Sequence, residues 1–196
     1  MALAFTVPRF VPAEAELAAA TLQGCRAGDP AALRVFVTRY EHMVFAFLSR
    51  AVGSGPHVED MAQEVFLRAC RALATFDASG QARLSTWILT IARRLVVDAR
   101  RKRLLPVADV DADQVVAAGD TPETERRRHE IASAIERAAV ELPGDQRDAF
   151  VLTEFHGLDT RELATVLGIS EATAKTRLFR ARERLRALLR DVWEDR

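Results

Sequence analysis

Apolar residues recur at intervals of three and four along most of this 196-residue chain, and no stretch alternates apolar and polar positions over the length of a strand. The pattern predicts an all-α protein. In "DPAALRVFVTRYEHMVFAFLSR", Leu33, Phe36, Val37, Tyr40, Val44 and Phe47 line one side of a helix. Asp29 is placed to cap it, Pro30 suits its first turn, and "GSGP" ends it. A second helix is expected over 57–76, then a loop "DASGQAR" broken at Gly80. A third helix follows, with Ser85 as N-cap and a core stripe of Leu84, Ile88, Ile91 and Leu95.

The helical period fails over "LLPVADVDADQVVAAGD", which holds Pro106 and Gly119 and reads as a linker, before Thr121 and Pro122 restart helix. Three parts are therefore expected: residues 1–104, an acidic linker at 105–122, and residues 123–196. The last part should hold helices near 123–140, 144–156, 159–167 and 171–190. Gly157 acts as a stop, and Asp159 with Glu162 forms a capping box.

"ELATVLGISEATAKTRLFRARERLR" has the makings of a helix-turn-helix. Ala164 is small where two helices must cross, Gly168 allows the turn, and Leu163, Leu167 and Ile169 can lock the pair. In the second helix Leu178, Ala181, Leu185 and Leu188 form the expected core stripe. Lys175, Thr176, Phe179, Arg180, Arg182 and Arg186 are left for other faces, and Arg177 packs through its aliphatic stem. Lys175 with Phe179, and Thr176 with Arg180, are four apart and could present donors and an apolar surface to a major groove. Arg182 and Arg186 suit phosphates, which fix register without reading sequence.

Charge sharpens this picture through its distribution, since 28 basic and 28 acidic residues cancel overall. Residues 83–103 carry seven basic residues against Asp98; residues 104–125 carry six acids and no base; residues 171–190 carry seven basic residues against Glu171 and Glu183. All the basic residues except Lys102 and Lys175 are arginine, so clustering rather than arginine content is the signal. Asp109, Asp111 and Asp113 make the linker polyanionic, able to serve as a solvated tether or to fold back on the basic segments.

Other chemistry is sparse. Cys25 and Cys70 read as buried free thiols, and the four histidines show no ligand spacing. No nucleophile, general base or phosphate loop is apparent, so no enzyme, cofactor or metal site is expected. The opening "MALAFTVPRFVP" carries neither a basic leader nor a long apolar run, which predicts a cytoplasmic protein without membrane insertion.

A single helix-turn-helix leaves the basic segment 83–103 unexplained. "DMAQEVFLRACRALATFD", "STWILTIARRLVVDARRKR" and "ELPGDQRDAFVLTEFHGLDTRELATVLGISEATAKTRLFRARERL" resemble successive parts of bacterial RNA polymerase sigma factors of the extracytoplasmic-function type. The resemblance runs in order over roughly residues 20–190. It implies an N-terminal domain for core polymerase and the minus 10 element, a C-terminal domain for the minus 35 element, and often an anti-sigma factor as further partner.

On this resemblance Lys175, Thr176, Arg177, Phe179, Arg180, Arg182 and Arg186 meet the minus 35 element. Arg83, Thr86, Trp87, Thr90, Arg93, Arg94, Arg100 and Arg101 meet the minus 10 element. Trp87, Thr90, Arg94, Val97 and Arg101 recur along one helical face, where an aromatic among cations suits unstacked bases; burial between helices is the other reading of Trp87. Arg94 stands where similar members commonly carry asparagine, at a position associated with the pocket for a flipped base. In "EDMAQEVFLRA", Ala62, Val65, Phe66 and Ala69 face the core and leave Asp60, Gln63, Glu64 and Leu67 accessible, which the resemblance assigns to the polymerase clamp. The alternative is a stand-alone helix-turn-helix regulator.

Overall fold

The computed structural model describes residues 16–78, 80, 82–102 and 122–190, with the backbone alone over 122–130. Among the described residues the chain is all helix: α1 (Ala19–Arg26), α2 (Pro30–Val52), α3 (Pro56–Ala72), a 3-10 turn (Leu73–Thr75), α4 (Leu84–Arg101), α5 (Pro122–Val140), α6 (Gly144–Glu154), α7 (Thr160–Leu167) and α8 (Glu171–Leu188). The expected linker, with Asp109, Asp111 and Asp113, lies outside the described residues, as does the opening "MALAFTVPRFVP".

Local signals set most boundaries. The Asp29 carboxylate accepts the N–H groups of Ala31 and Ala32 at 3.3 and 3.1 Å, and Gly53 closes α2 with φ of 86°. Phe36, Tyr40, Val44 and Phe47 are buried on its inner side, with Leu33 and Val37 half-buried beside them. The helix expected through residue 76 ends as α-helix at Ala72. There Arg26, reaching from α1, donates to the carbonyls of Leu73 and Phe76, and the chain tightens into the 3-10 turn.

The start of α4 corrects one expectation. Ser85 is not its cap: it is buried, and Arg83 occupies the cap position without a side-chain bond. The carboxylate of Glu16 instead accepts the Leu84 N–H at 3.2 Å, so a residue 68 positions away satisfies the first turn.

α2, α3 and α4 close around Phe36, Phe47, Leu48, Leu73, Ile88 and Leu89, with Phe36 and Phe66 edge to face at 6.0 Å. α6, α7 and α8 bury Phe150, Leu152, Leu163 and Leu185. The two sets share one continuous core, because α2 packs on α6 and α4 packs on α7. Cys25 is buried and Cys70 half-buried; both are free thiols, pushed up from their ordinary pKa first by burial.

Candidate nucleic-acid and polymerase interfaces

The helix-turn-helix is built as its residue types require. Asp159 Oδ1 accepts the Glu162 N–H at 2.8 Å, and Glu162 Oε2 accepts the Asp159 N–H at 3.1 Å, completing the capping box of α7. Gly168 takes the left-handed conformation at φ of 64°, Ile169 donates its N–H to Ala164 O at 3.1 Å, and Ser170 Oγ accepts the Thr173 N–H at 3.2 Å to begin α8. Ala174 and Ala181 are fully buried, so their small size lets α8 lie close on its neighbours. The core stripe of α8 differs from expectation at its end. Leu189 is buried and Leu188 is 40% exposed, because the inward row drifts to 181, 185 and 189 as the helix closes.

On the outer side of α8, Lys175, Thr176, Phe179 and Arg180 are exposed, Phe179 to 63%. Thr176 Oγ1 donates to Ala172 O at 2.9 Å. The other arginines expected at DNA are tied to carboxylates. Half-buried Arg177 lies 3.4 Å from Asp145, Arg182 Nε donates to Glu154 Oε1 at 3.0 Å, and Arg186 pairs with Glu183. α8 therefore divides into an exposed face of Lys175, Thr176, Phe179 and Arg180 and a set of cations paired with carboxylates.

α4 divides differently. Arg94 and Arg101 are exposed, with Arg101 Nη2 3.6 Å from Asp98 Oδ1. Trp87 is half-buried with its ring centroid 5.3 Å from that of Phe76, and Thr90 Oγ1 donates to Thr86 O at 2.9 Å. The remaining four residues turn toward the C-terminal helices. Arg83 Nε lies 3.6 Å from Glu162 Oε1, and Thr86 Oγ1 donates to the same oxygen at 3.4 Å. Arg93 Nη1 donates to Leu167 O at 3.2 Å, with its Nε 3.6 Å from Asp148 Oδ2. Arg100 Nη1 lies 2.9 Å from Asp148 Oδ1 and donates to Gly144 O at 3.0 Å, while Nη2 donates to Ala51 O at 2.8 Å.

Asp148, at the centre of this contact, was not among the residues singled out from sequence. It is 0% exposed. Burial pushes its carboxyl up from the ordinary range, against the opposing pull of Arg100, Arg93 and Arg147. Its signal was a carboxylate on the apolar face of α6, one turn before Leu152 and two before Phe155. Arg147 is itself pushed down by burial first, then by Arg100.

α3 has the two sides its period predicts. Val58, Met61, Ala62, Val65, Phe66 and Ala69 are buried, and Asp60, Gln63 and Leu67 are exposed, Leu67 to 51%. Glu64 is half-exposed and pairs with Arg68 at 2.6 Å. No cluster among the described residues could hold a metal ion, and no helix among them is long and apolar enough to cross a membrane.

A helix-turn-helix with an open basic and aromatic face, packed on a second helical unit with its own basic helix, defines a protein of the DNA-binding transcription class. The family Sigma-70 region 2 matches residues 36–104, and Sigma-70 region 4 matches residues 132–185. The chain is 34% identical to the RNA polymerase sigma-H factor of Pseudomonas aeruginosa over 179 residues, 84% of this chain and 92% of that one. It is 34% identical to the ECF RNA polymerase sigma-E factor of Escherichia coli over 166 residues, 80% of this chain and 85% of that one. It is 33% identical to the ECF RNA polymerase sigma factor SigW of Bacillus subtilis over 176 residues, 84% and 92% of the two chains. Among solved structures, the fold matches the sigma factor RpoE in its complex with the anti-sigma factor NepR from Bartonella quintana, with TM-score 0.64, 22% identity and coverage of 80% of this chain and 96% of that one. It also matches CnrH in complex with the cytosolic domain of CnrY, with TM-score 0.60, 24% identity, and 88% and 96% coverage. The chain belongs to the extracytoplasmic-function type of RNA polymerase sigma factors.

Proposed function

We propose that this sigma factor directs core polymerase to promoters through three separate surfaces. The outer face of α8 reads the minus 35 element, α4 engages the minus 10 element as it melts, and the exposed side of α3 carries Asp60, Gln63, Glu64 and Leu67 to the polymerase clamp. The division of labour follows residues 1–104, an acidic linker at 105–122, and residues 123–196. The observation that carries the reading is the exposed face of Lys175, Thr176, Phe179 and Arg180 on a helix that buries Ala174, Ala181 and Leu185 on its other side. The protein acts in the cytoplasm on polymerase and DNA, and supplies positioning rather than catalysis. An anti-sigma factor is a further partner, as NepR is for the RpoE factor of similar fold. A stand-alone regulator would need a receiver or sensor unit, and residues 36–104 match a sigma region instead.

Transcription from a two-element promoter with purified core polymerase tests this directly. Initiation is expected only with both proteins present, and the free factor should bind promoter DNA weakly. Tight promoter-specific binding by the factor alone, unchanged by core, would favour the regulator.

A further inference from the structure

Glu16, just ahead of α1, and Arg26, its last residue, reach opposite ends of one connection, the chain between α3 and α4. At its start Arg26 donates from Nε to Leu73 O at 3.3 Å and from Nη2 to Phe76 O. At its end the Glu16 carboxylate accepts the Leu84 N–H at 3.2 Å, in the first turn of α4. Tyr40 of α2 lies against the same carboxylate: burial first, then the charge of Glu16, push its hydroxyl up to about 12. Neither charged residue belongs to the core. Glu16 and Arg26 are exposed, while Leu22 and Cys25 bury the inner side of α1. The seat of α1 is tight, since a Cβ on Gly24 would stand 2.8 Å from that of Ala32 on α2.

What this brace holds is the start of α4. Phe76, whose carbonyl Arg26 grips, has its ring centroid 5.3 Å from that of Trp87, and Arg83 immediately precedes the Leu84 N–H that Glu16 accepts. Trp87 is half-buried, so it offers only part of its ring, and the place of that part follows the place of Phe76. We infer that Glu16 and Arg26 are positioning residues for minus 10 recognition: they fix both ends of the connection, so that Arg83 and Trp87 are already placed when an unstacked base arrives. The inference rests on the reading of α4 as the minus 10 helix. Without the brace these side chains would have to be ordered as the strand binds, and each one newly immobilised costs about two- to tenfold in affinity. Preference between bases suffers as well, because it needs the contacting groups held to within about 0.5 Å.

The test uses the full chain with core polymerase on a promoter template already melted at the minus 10 element, and compares binding of the original strand with strands in which each base is changed. Three substitutions loosen the brace in different ways. Arg26→Lys keeps the charge, and with it the general attraction for DNA, but gives up the fork that spans two carbonyls. Glu16→Ala frees the Leu84 N–H. Gly24→Ala keeps both charged residues and lifts α1 from α2. Each should weaken binding of the original strand about tenfold and shrink its preference over the changed ones, with binding to a duplex minus 35 fragment unaltered. A lowered melting temperature with base preference intact would make α1 a packing element and overturn the inference, as would no change in any of the three. Trp87→Ala with Arg83→Ala in an otherwise unaltered chain separates the two readings. If preference survives that pair, α4 does not read the minus 10 strand and the proposed function fails with the brace. If the pair abolishes preference while the three α1 variants keep it, the brace alone is overturned.

Discussion

Phe47 and His156 meet edge to face across the junction between α2 and the end of α6, with ring centroids 6.0 Å apart and planes at 71°. His156 is buried, and burial first, then the charges of Arg50 and His42 on α2, push its pKa down to about 3 from the ordinary 6.5. The packed form thus holds a neutral imidazole that the unfolded or opened chain would protonate. Its stability contribution is present above pH 6.5 and falls as pH drops toward 3. Between pH 7.5 and 5.5 the loss from this group should be about 1.4 kcal/mol. Urea unfolding of the free factor at both pH values should show it, and His156→Leu should remove that part of the slope. Asp148 titrates with the opposite sign but is present in both proteins, so the difference between them isolates His156. Identical pH dependence in the two would contradict the assignment.

The proposed division of α8 into reading and anchoring residues can be tested by substitution. Lys175→Ala, Phe179→Ala and Arg180→Ala should each weaken minus 35 binding by about 1–3 kcal/mol and relax its sequence preference. Arg186→Ala should weaken binding evenly across sequences, because its partner Glu183 holds it at the margin of the face. Melting temperatures should barely move for Phe179→Ala, whose side chain is 63% exposed. Uniform losses for all four substitutions across scrambled fragments would mean that α8 contacts phosphate alone.

Leu67 is a large apolar residue standing in solvent beside Asp60, Gln63 and Glu64. Leu67→Asp should leave the fold intact and lower affinity for core polymerase by more than about 1 kcal/mol, the loss expected when a central interface residue is removed. Competition against a labelled sigma factor for core measures this. Undiminished competition would move the docking surface elsewhere on the molecule.

Features set by neighbouring residues were legible in the sequence. Asp29 with Pro30, Asp159 with Glu162, and Gly168 announce helix ends through side chains that act within four positions, and the structure has all of them. The buried and exposed sides of α3 followed from helical period alone. Features set by distant partners were not legible. The true cap of α4 is Glu16, the end of α3 is governed by Arg26, and Asp148 has its meaning only once Arg93 and Arg100 are beside it. The same limit explains α4 itself. Its basic residues were legible as a cluster, but which of them face outward and which turn to the C-terminal helices depends on a packing that no local window contains.

Adjacent arginines on α4 make the sharpest contrast. Arg94 is exposed, while Arg93 is half-buried and reaches both Leu167 O and the carboxylate of Asp148. Arg94→Ala trims an exposed side chain and should leave unfolding unchanged. If α4 engages melted DNA, it should nonetheless slow promoter opening, since a cation on that face can hold a flipped base or a strand phosphate. A template already melted at the minus 10 element should restore much of the lost transcription, while binding to a duplex minus 35 fragment should not change. Arg93→Ala leaves Asp148 one partner short in a buried position and should cost about 1–3 kcal/mol of stability. A defect in Arg94→Ala that the premelted template does not rescue, together with lowered stability, would make Arg94 a packing residue like its neighbour.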